Sequence, residues 1–414
     1  MRNLIAAALL LTAACSACAQ DWRQWRGPTG DNHAAAGATA PVEWSEDAGL
    51  AWLTPIPGRG HSSPTIVGDR IYLTTADEQE QTQSLLIVDK ATGRLIRQEV
   101  AHRDGLPARI HGNNTHASPT VASDGERVFA LFYQKSGARV TAFDLSGQRL
   151  WQRKVCGFDP QMYQFGFGSS PRLVDGKLII SAEYDGPDAG VYAIDPADGG
   201  EIWKAPRRPG ISFSTPIDAQ LAGRRQLMLS GDGLIVSYDP ATGEKLWSQI
   251  ASTVATCGTM VWDAENQLAF ASGGYPDSFT LAIRADGEHQ VVWDNSVKCY
   301  EQSLLFANGY VYGVSDRGVA YCWRSIDGEE MWRQRLGGGY SASPVLVGDA
   351  IYVSSEQGTT FVFRATHEGY QQLAENQLGT DCFPTTTPSG GRLYHRYGNG
   401  QGAQRQEYLA AIGE

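Results

Sequence analysis

The sequence predicts an all-β chain: an eight-bladed β-propeller of four-stranded antiparallel blades, the last blade closed by the N-terminal strand. Three observations carry this reading. One unit of four short β runs recurs along the chain, seen most clearly in FSTPIDAQLAGRRQLMLSGDGLIVSYDPATGEKLWSQI at 213–250. The tryptophans that end successive units, Trp151, Trp203, Trp247, Trp293 and Trp332, are spaced by 52, 44, 46 and 39 residues, the scale of a propeller blade. The chain also begins with the tail of its own repeat. GLAWLTP at 49–55 carries a Trp strand with no unit before it, and EYLAAIGE at the C-terminus is a third strand with no fourth after it.

Taken in order, the first 19 residues read as an export signal. Arg2 supplies the charged start, Leu4–Ala14 the apolar core and Ala17-Cys18-Ala19 a small-x-small cleavage site,. The apolar core is too short to span a bilayer, and no later run is long enough for a transmembrane segment. The protein is expected to be exported, periplasmic or extracellular. A lipid anchor through Cys15 is the rival reading, weakened by Thr12 standing where a lipobox carries an aliphatic residue. Residues 20–44 form an N-terminal extension, and 45–414 the propeller.

Each unit has a local cause. A D-P-x-T-G hairpin lets Asp cap the turn, and Gly supplies the positive φ of the reversal. Alternation in VYAID and IVSYD turns one set of side chains toward each neighbouring sheet,. The recurring Trp is expected to fill the wedge between blades. Strong copies start at HSSPTIV, HASPTVA, GSSPRLV and FSTPIDA. Weaker ones run through LAIRADGEHQVVW, VAYCWRSIDGEEMW and SASPVLVGDAIYV. The eighth starts near DCFPTTTPSGG and borrows GLAWLTP, which removes free sheet edges.

Composition narrows the function. The chain has 414 residues, 42 % of them hydrophobic, and a formal charge of −11. An acidic chain without a basic stretch argues against nucleic acid as partner. No GxSxG elbow or βαβ glycine loop is present. Outside the export signal five cysteines remain, Cys156, Cys257, Cys299, Cys322 and Cys382, with no CxxC. Free buried thiols are the preferred reading. A disulfide between Cys299 and Cys322, placed on neighbouring strands of one unit, is the alternative.

The units resemble the pyrroloquinoline-quinone (PQQ) type propeller repeat over 45–414. DWRQWRGPTGDN is similar to the W-x-Q-[WF]-R-G-P opening of secreted bacterial proteins of that family, and HGNNTHASPTVASDGERVFALF, with His111, Asn114, Ala117 and Ser118, also resembles it. The resemblance implies the fold and leaves the activity open. One branch is the PQQ-dependent alcohol dehydrogenases, which bind PQQ and Ca²⁺ in the funnel. This chain lacks their adjacent cysteine pair and an assignable Ca²⁺-ligand set. The other branch is the BamB-type propellers, which scaffold outer-membrane protein assembly without chemistry.

Residues before each Ser/Thr-x-Pro step are expected to crowd the funnel mouth. They are Arg59 and His61, then Asn113, Asn114 and His116, then Gln164 and Phe165, with Ser212, Thr256, Glu301, Tyr340 and Asp381 in later units; His111 lies on the long loop before the second. Together they make a polar pocket suited to a sugar, carboxylate or peptide end. His61, His111 and His116 have no helix to organise them into a metal site, so no metal is expected. No catalytic residue is assigned and no cofactor is firmly expected. The first reading is a monomeric, non-catalytic envelope propeller that binds a protein partner, small molecule or glycan at the funnel face. The alternatives are a PQQ-dependent oxidoreductase using Glu301 or Asp381 as its acid, and a carbohydrate-binding or carbohydrate-processing protein.

Overall fold

The computed structural model describes residues 21–414; the segment read as an export signal, with Cys15 and Cys18, lies outside the described residues. Eight four-stranded antiparallel sheets are arranged as a propeller, and no α-helix occurs among the described residues. We number the blades in chain order: 1 (65–103), 2 (122–157), 3 (172–206), 4 (217–250), 5 (261–295), 6 (305–335), 7 (345–377) and 8 (387–412 plus 50–56).

Blade 8 is closed as the sequence predicts. Leu50–Ile56 pairs antiparallel with Gln406–Ile412, from Leu50 opposite Ile412 to Ile56 opposite Glu407. The two chain ends therefore lie in one sheet, and its core, with Ile56, Leu393, Tyr394 and Leu409, is continuous with Ile71, Leu73 and Leu86 of blade 1.

The hairpins show why Asp and Gly recur. In blade 4 the Asp239 carboxylate accepts from the N–H groups of Ala241 and Thr242, and Gly243 turns the chain at φ +74°. The tryptophan of each outer strand lies over the next blade's hairpin. Trp52 Nε1–H donates to Lys90 O (3.1 Å), Trp151 to Pro196 O (3.0 Å), Trp203 to Pro240 O (3.3 Å), Trp293 to Ser325 O (2.7 Å) and Trp332 to Thr366 O (2.7 Å). Blade 1 carries Arg97 in this place, reaching Ser146 O at 3.4 Å. In blade 4 Trp247 instead donates to Gln226 of its own blade and stacks on His289 of the next, centroids 4.4 Å apart. Five of these six indoles thus fill a wedge and satisfy a turn carbonyl, and Trp247 fills its wedge by stacking,.

The five cysteines are free, four of them buried. Cys299 lies in the connection after Val291–Asn295, not on a strand, whereas Cys322 lies within Val319–Arg324. The pairing considered above is therefore replaced by two separate buried thiols, because the chain has not yet entered blade 6 at Cys299.

The extension that precedes the closing strand runs across one end of the channel. Trp22 bridges Ile66 of blade 1, Ser123 N–H of blade 2 donates to Arg23 O (2.7 Å), and Leu173 N–H of blade 3 to Gln24 Oε1 (3.0 Å). Arg26, fully buried, donates to Leu304 O (2.8 Å), and Asn32 to Pro344 O (2.8 Å). Burial pulls the Arg26 guanidinium down to about 9, so its carbonyl partners matter. The segment plugs the channel.

Candidate functional site

A ring of hydroxyls encircles the channel two residues before each first strand. Ser63 N–H donates to Thr120 Oγ1 (3.0 Å), Thr120 to Ser170 (3.0 Å) and Ser170 to Thr215 (2.9 Å). Thr259 donates to Ser303 (2.9 Å), Ser303 to Ser343 (2.9 Å), Ser343 to Thr385 (2.9 Å) and Thr385 back to Ser63 (3.1 Å). Thr259 Oγ1 accepts the indole Nε1–H of Trp25 at 3.0 Å. The plug's second tryptophan therefore becomes the floor of the chamber above the ring.

That chamber encloses about 190 Å³. Its wall is the residue two positions before each hydroxyl: His61, Ser118, Gly168, Phe213, Cys257, Glu301, Ser341 and Phe383, one from each blade. His111, Asn113, Asn114, Phe165 and Tyr300 complete the lining. His61 stacks on Phe383 (centroids 4.4 Å, planes 8° apart). Across the ring Phe165 stacks on Phe213 at 6.3 Å and meets the edge of His111 at 5.0 Å.

Two titratable groups stand out. Glu301 Oε2 accepts from Ser341 Oγ–H (2.5 Å), and the same hydroxyl lies 2.7 Å from Glu356 Oε1. Glu301 Oε1 has only a long contact, 3.4 Å, from the Asn113 amide. Burial pushes the Glu301 carboxyl above its ordinary range and the Glu356 charge adds to this, while Ser341, Asn113 and His111 oppose it,. His61 is held well below its ordinary value by burial and then by the cations Arg59, Arg396 and Arg405, so its ring is neutral at pH 7. Its buried Nε2 has no hydrogen-bond partner.

Of the thirteen residues nominated from sequence, His61, His111, Asn113, Asn114, Phe165 and Glu301 meet at this chamber. The other seven lie elsewhere. Ser212 and Thr256 are buried, their hydroxyls donating to Ser230 O at 2.9 and 2.7 Å. Arg59 is exposed and pairs through its backbone with Ala76. His116 faces Glu78 at 3.7 Å, outside the chamber. Gln164 lies at clefts beside the loops 105–111 and 159–165. Tyr340 is buried in the core shared by blades 6 and 7. Asp381 grips Arg405 at 2.7 Å, which removes it as the free acid of a quinone site. The physical reason is register. Ser63 is two residues before its strand, but the Ser118-Pro119 step is four before Ala122, and blades 5 and 6 have no Pro at the step. Counting three residues back from Pro therefore reaches the wall in blades 1, 3, 4 and 7 but lands two residues off it in blade 2. Counting four residues back from the first strand would have found Phe213, Cys257, Ser341 and Phe383. Nothing local in WRQWRGP marks Trp25 as a floor.

Comparison with known proteins agrees with this architecture. The family model described as the outer membrane protein assembly factor BamB matches residues 22–162, 161–334 and 258–374. The chain belongs to this family. Among solved structures it is similar to BamB from Moraxella catarrhalis, with TM-score 0.61 and 16 % identity over 88 % of this chain and 98 % of that one. It is also similar to the quinohemoprotein alcohol dehydrogenase from Comamonas testosteroni (TM-score 0.52, 12 % identity, 97 % of this chain and 84 % of that one). A third similar structure is a europium-containing methanol dehydrogenase (TM-score 0.51, 11 % identity, 92 % and 90 %). At these identities the likeness is one of fold. No curated protein matches the chain in sequence.

Proposed function

We propose that this protein is a non-catalytic, exported propeller of the cell envelope that binds a partner or ligand at its funnel face. The observation that carries the reading is the blind chamber: a channel closed below by Trp25 and walled by one residue from every blade. Membership of the BamB family and the leader-like N-terminus support the envelope setting, and no helix among the described residues is long and apolar enough to cross a membrane.

The residues present do not fit PQQ with Ca²⁺. A polycarboxylate quinone needs cationic groups, and no Lys or Arg lines the chamber. A bound Ca²⁺ needs several oxygen ligands, yet the lining offers one carboxylate, and no group of three or more His, Cys, Asp or Glu among the described residues could hold a metal ion. Titration with PQQ, with and without Ca²⁺, should give no saturable heat. One-to-one binding at micromolar affinity or tighter would put the oxidoreductase reading first. The binding role is tested with a photo-crosslinking residue at Asn113, over the chamber, or at Arg153, on an outer strand. Adducts in the native envelope are expected from Asn113. Adducts from Arg153 alone would overturn the reading.

A further inference from the structure

The chamber contains a charge problem. Glu301 and Glu356 flank one serine hydroxyl, and neither carboxylate makes an ion pair among the described residues. The free oxygen of Glu301 faces the chamber with only the 3.4 Å amide contact. Both carboxylates are half-buried, so each loses part of its hydration, and desolvation without a counter-charge is costly,. Here the protein supplies no cation at the wall. It supplies aromatic rings instead: Trp25 at the floor, Phe165 and Phe213 on one side, Phe383 and Tyr300 on others. Ring faces carry negative quadrupole potential and attract cations, more strongly where water is excluded. His61 also lines the chamber, as a neutral ring stacked on Phe383, so it adds no positive charge to the wall.

We infer that the chamber takes an organic cation, an ammonium or guanidinium group on an apolar body, with Glu301 as its counter-ion and the aromatic rings as its cage. The inference rests on the funnel-face binding reading and gives it a ligand class. The cation replaces the weak Asn113 amide contact with a charge-assisted hydrogen bond. A neutral sugar would leave the Glu301 charge uncompensated, and an anion would meet it directly. The cations near His61 do not cancel this. Arg396 and Arg405 are already held by Glu407 and Asp381, and Arg59 is exposed outside the lining.

The test is calorimetric titration of the full mature protein with choline, agmatine and tyramine, against glucose and glucuronate, at low salt. At least one cation is expected to bind one-to-one. Glu301→Gln should weaken it at least tenfold while circular dichroism and melting show a folded chain. Phe213→Leu, which keeps the wall apolar but removes a ring, should weaken it several-fold. Absence of binding by all three cations overturns the inference, as does affinity unchanged in Glu301→Gln. Preferential glucose binding would overturn the cation class alone and leave the funnel as a binding site, whereas crosslinks from Arg153 alone would remove the underlying reading.

Discussion

The joint between blades 8 and 1 offers a measurement of what a hairpin glycine contributes. Gly93 sits at φ +73°, and a methyl added to it would lie 2.5 Å from two carbons of the Trp52 ring and 2.6 Å from Thr54 Oγ1. Gly176 sits at a similar φ, +71°, with no atom within 4 Å of such a methyl. Alanine at either site meets the left-handed backbone penalty, about 1–2 kcal/mol. Gly93→Ala must in addition displace the indole. It then loses the 3.1 Å bond to Lys90 O, worth about 1 kcal/mol,. It also weakens the contact with Tyr394, centroids 6.0 Å apart, by a further ~0.5–1 kcal/mol,. Gly93→Ala should therefore cost about 2.5–4 kcal/mol and Gly176→Ala about 1.5 kcal/mol. With an unfolding entropy near 2.1 cal/mol/K per residue over roughly 390 residues, these are melting-point losses of about 4 °C and 2 °C. Calorimetric melts of the two variants beside the parent decide it. Equal losses would refute the idea that these glycines are there to admit the neighbouring tryptophan.

Four further outcomes are expected. Deleting residues 46–56 opens blade 8 and should lower the melting temperature of the whole ring; an unchanged melt would remove the closing strand's role. Arg396→Leu removes the guanidinium that grips Glu407 at 2.6 Å inside the blade 8–blade 1 joint, leaves that carboxylate with Arg405 at 3.2 Å, and should cost about 3 kcal/mol, the low end for breaking a buried pair,. Arg396→Leu combined with Glu407→Leu should recover much of that loss, and urea midpoints showing no recovery would contradict the burial argument. Burial holds His102 and His395 down to about 4, His102 being lowered further by Arg139, Arg149 and Lys135. Their folded values lie below the unfolded value, so the unfolded state takes up protons first and stability falls as pH drops from 6.5 toward 4, by about 3 kcal/mol for each group. Replacing both with Gln should flatten that slope in urea titrations; an identical slope would count against it. Non-reducing thiol titration of the mature chain should find five free thiols in urea and, in the folded protein, reaction confined to the partly exposed Cys257.

The blade count and the closure were legible because they rest on local chemistry. Asp and Gly in the hairpins of blades 1 to 6, and a Trp on the outer strand of every blade but 1 and 7, act within a few residues of themselves, so their recurrence counts blades. GLAWLTP and EYLAAI could be joined for the same reason, each being a recognisable fragment of one unit. The chamber was only half legible. His61 was found because it stands three residues before its Pro, and Glu301 because it is the acidic residue at the entry to its blade, although that blade has no Pro at the step. Phe213 and Ser341 keep the spacing of His61 and were missed by one residue, whereas Phe383 was missed because wall position is set by inter-blade bonds from backbone N–H groups to hydroxyls, not by the proline beside it. Sequence alone determined an eight-fold ring and where it closes, since those follow from periodicity. Only the tertiary structure decided that Trp25 turns the channel into a cup and that Glu301 faces it without a cation. Both depend on which blades stand opposite one another, and no contact of that range leaves a spacing in the chain.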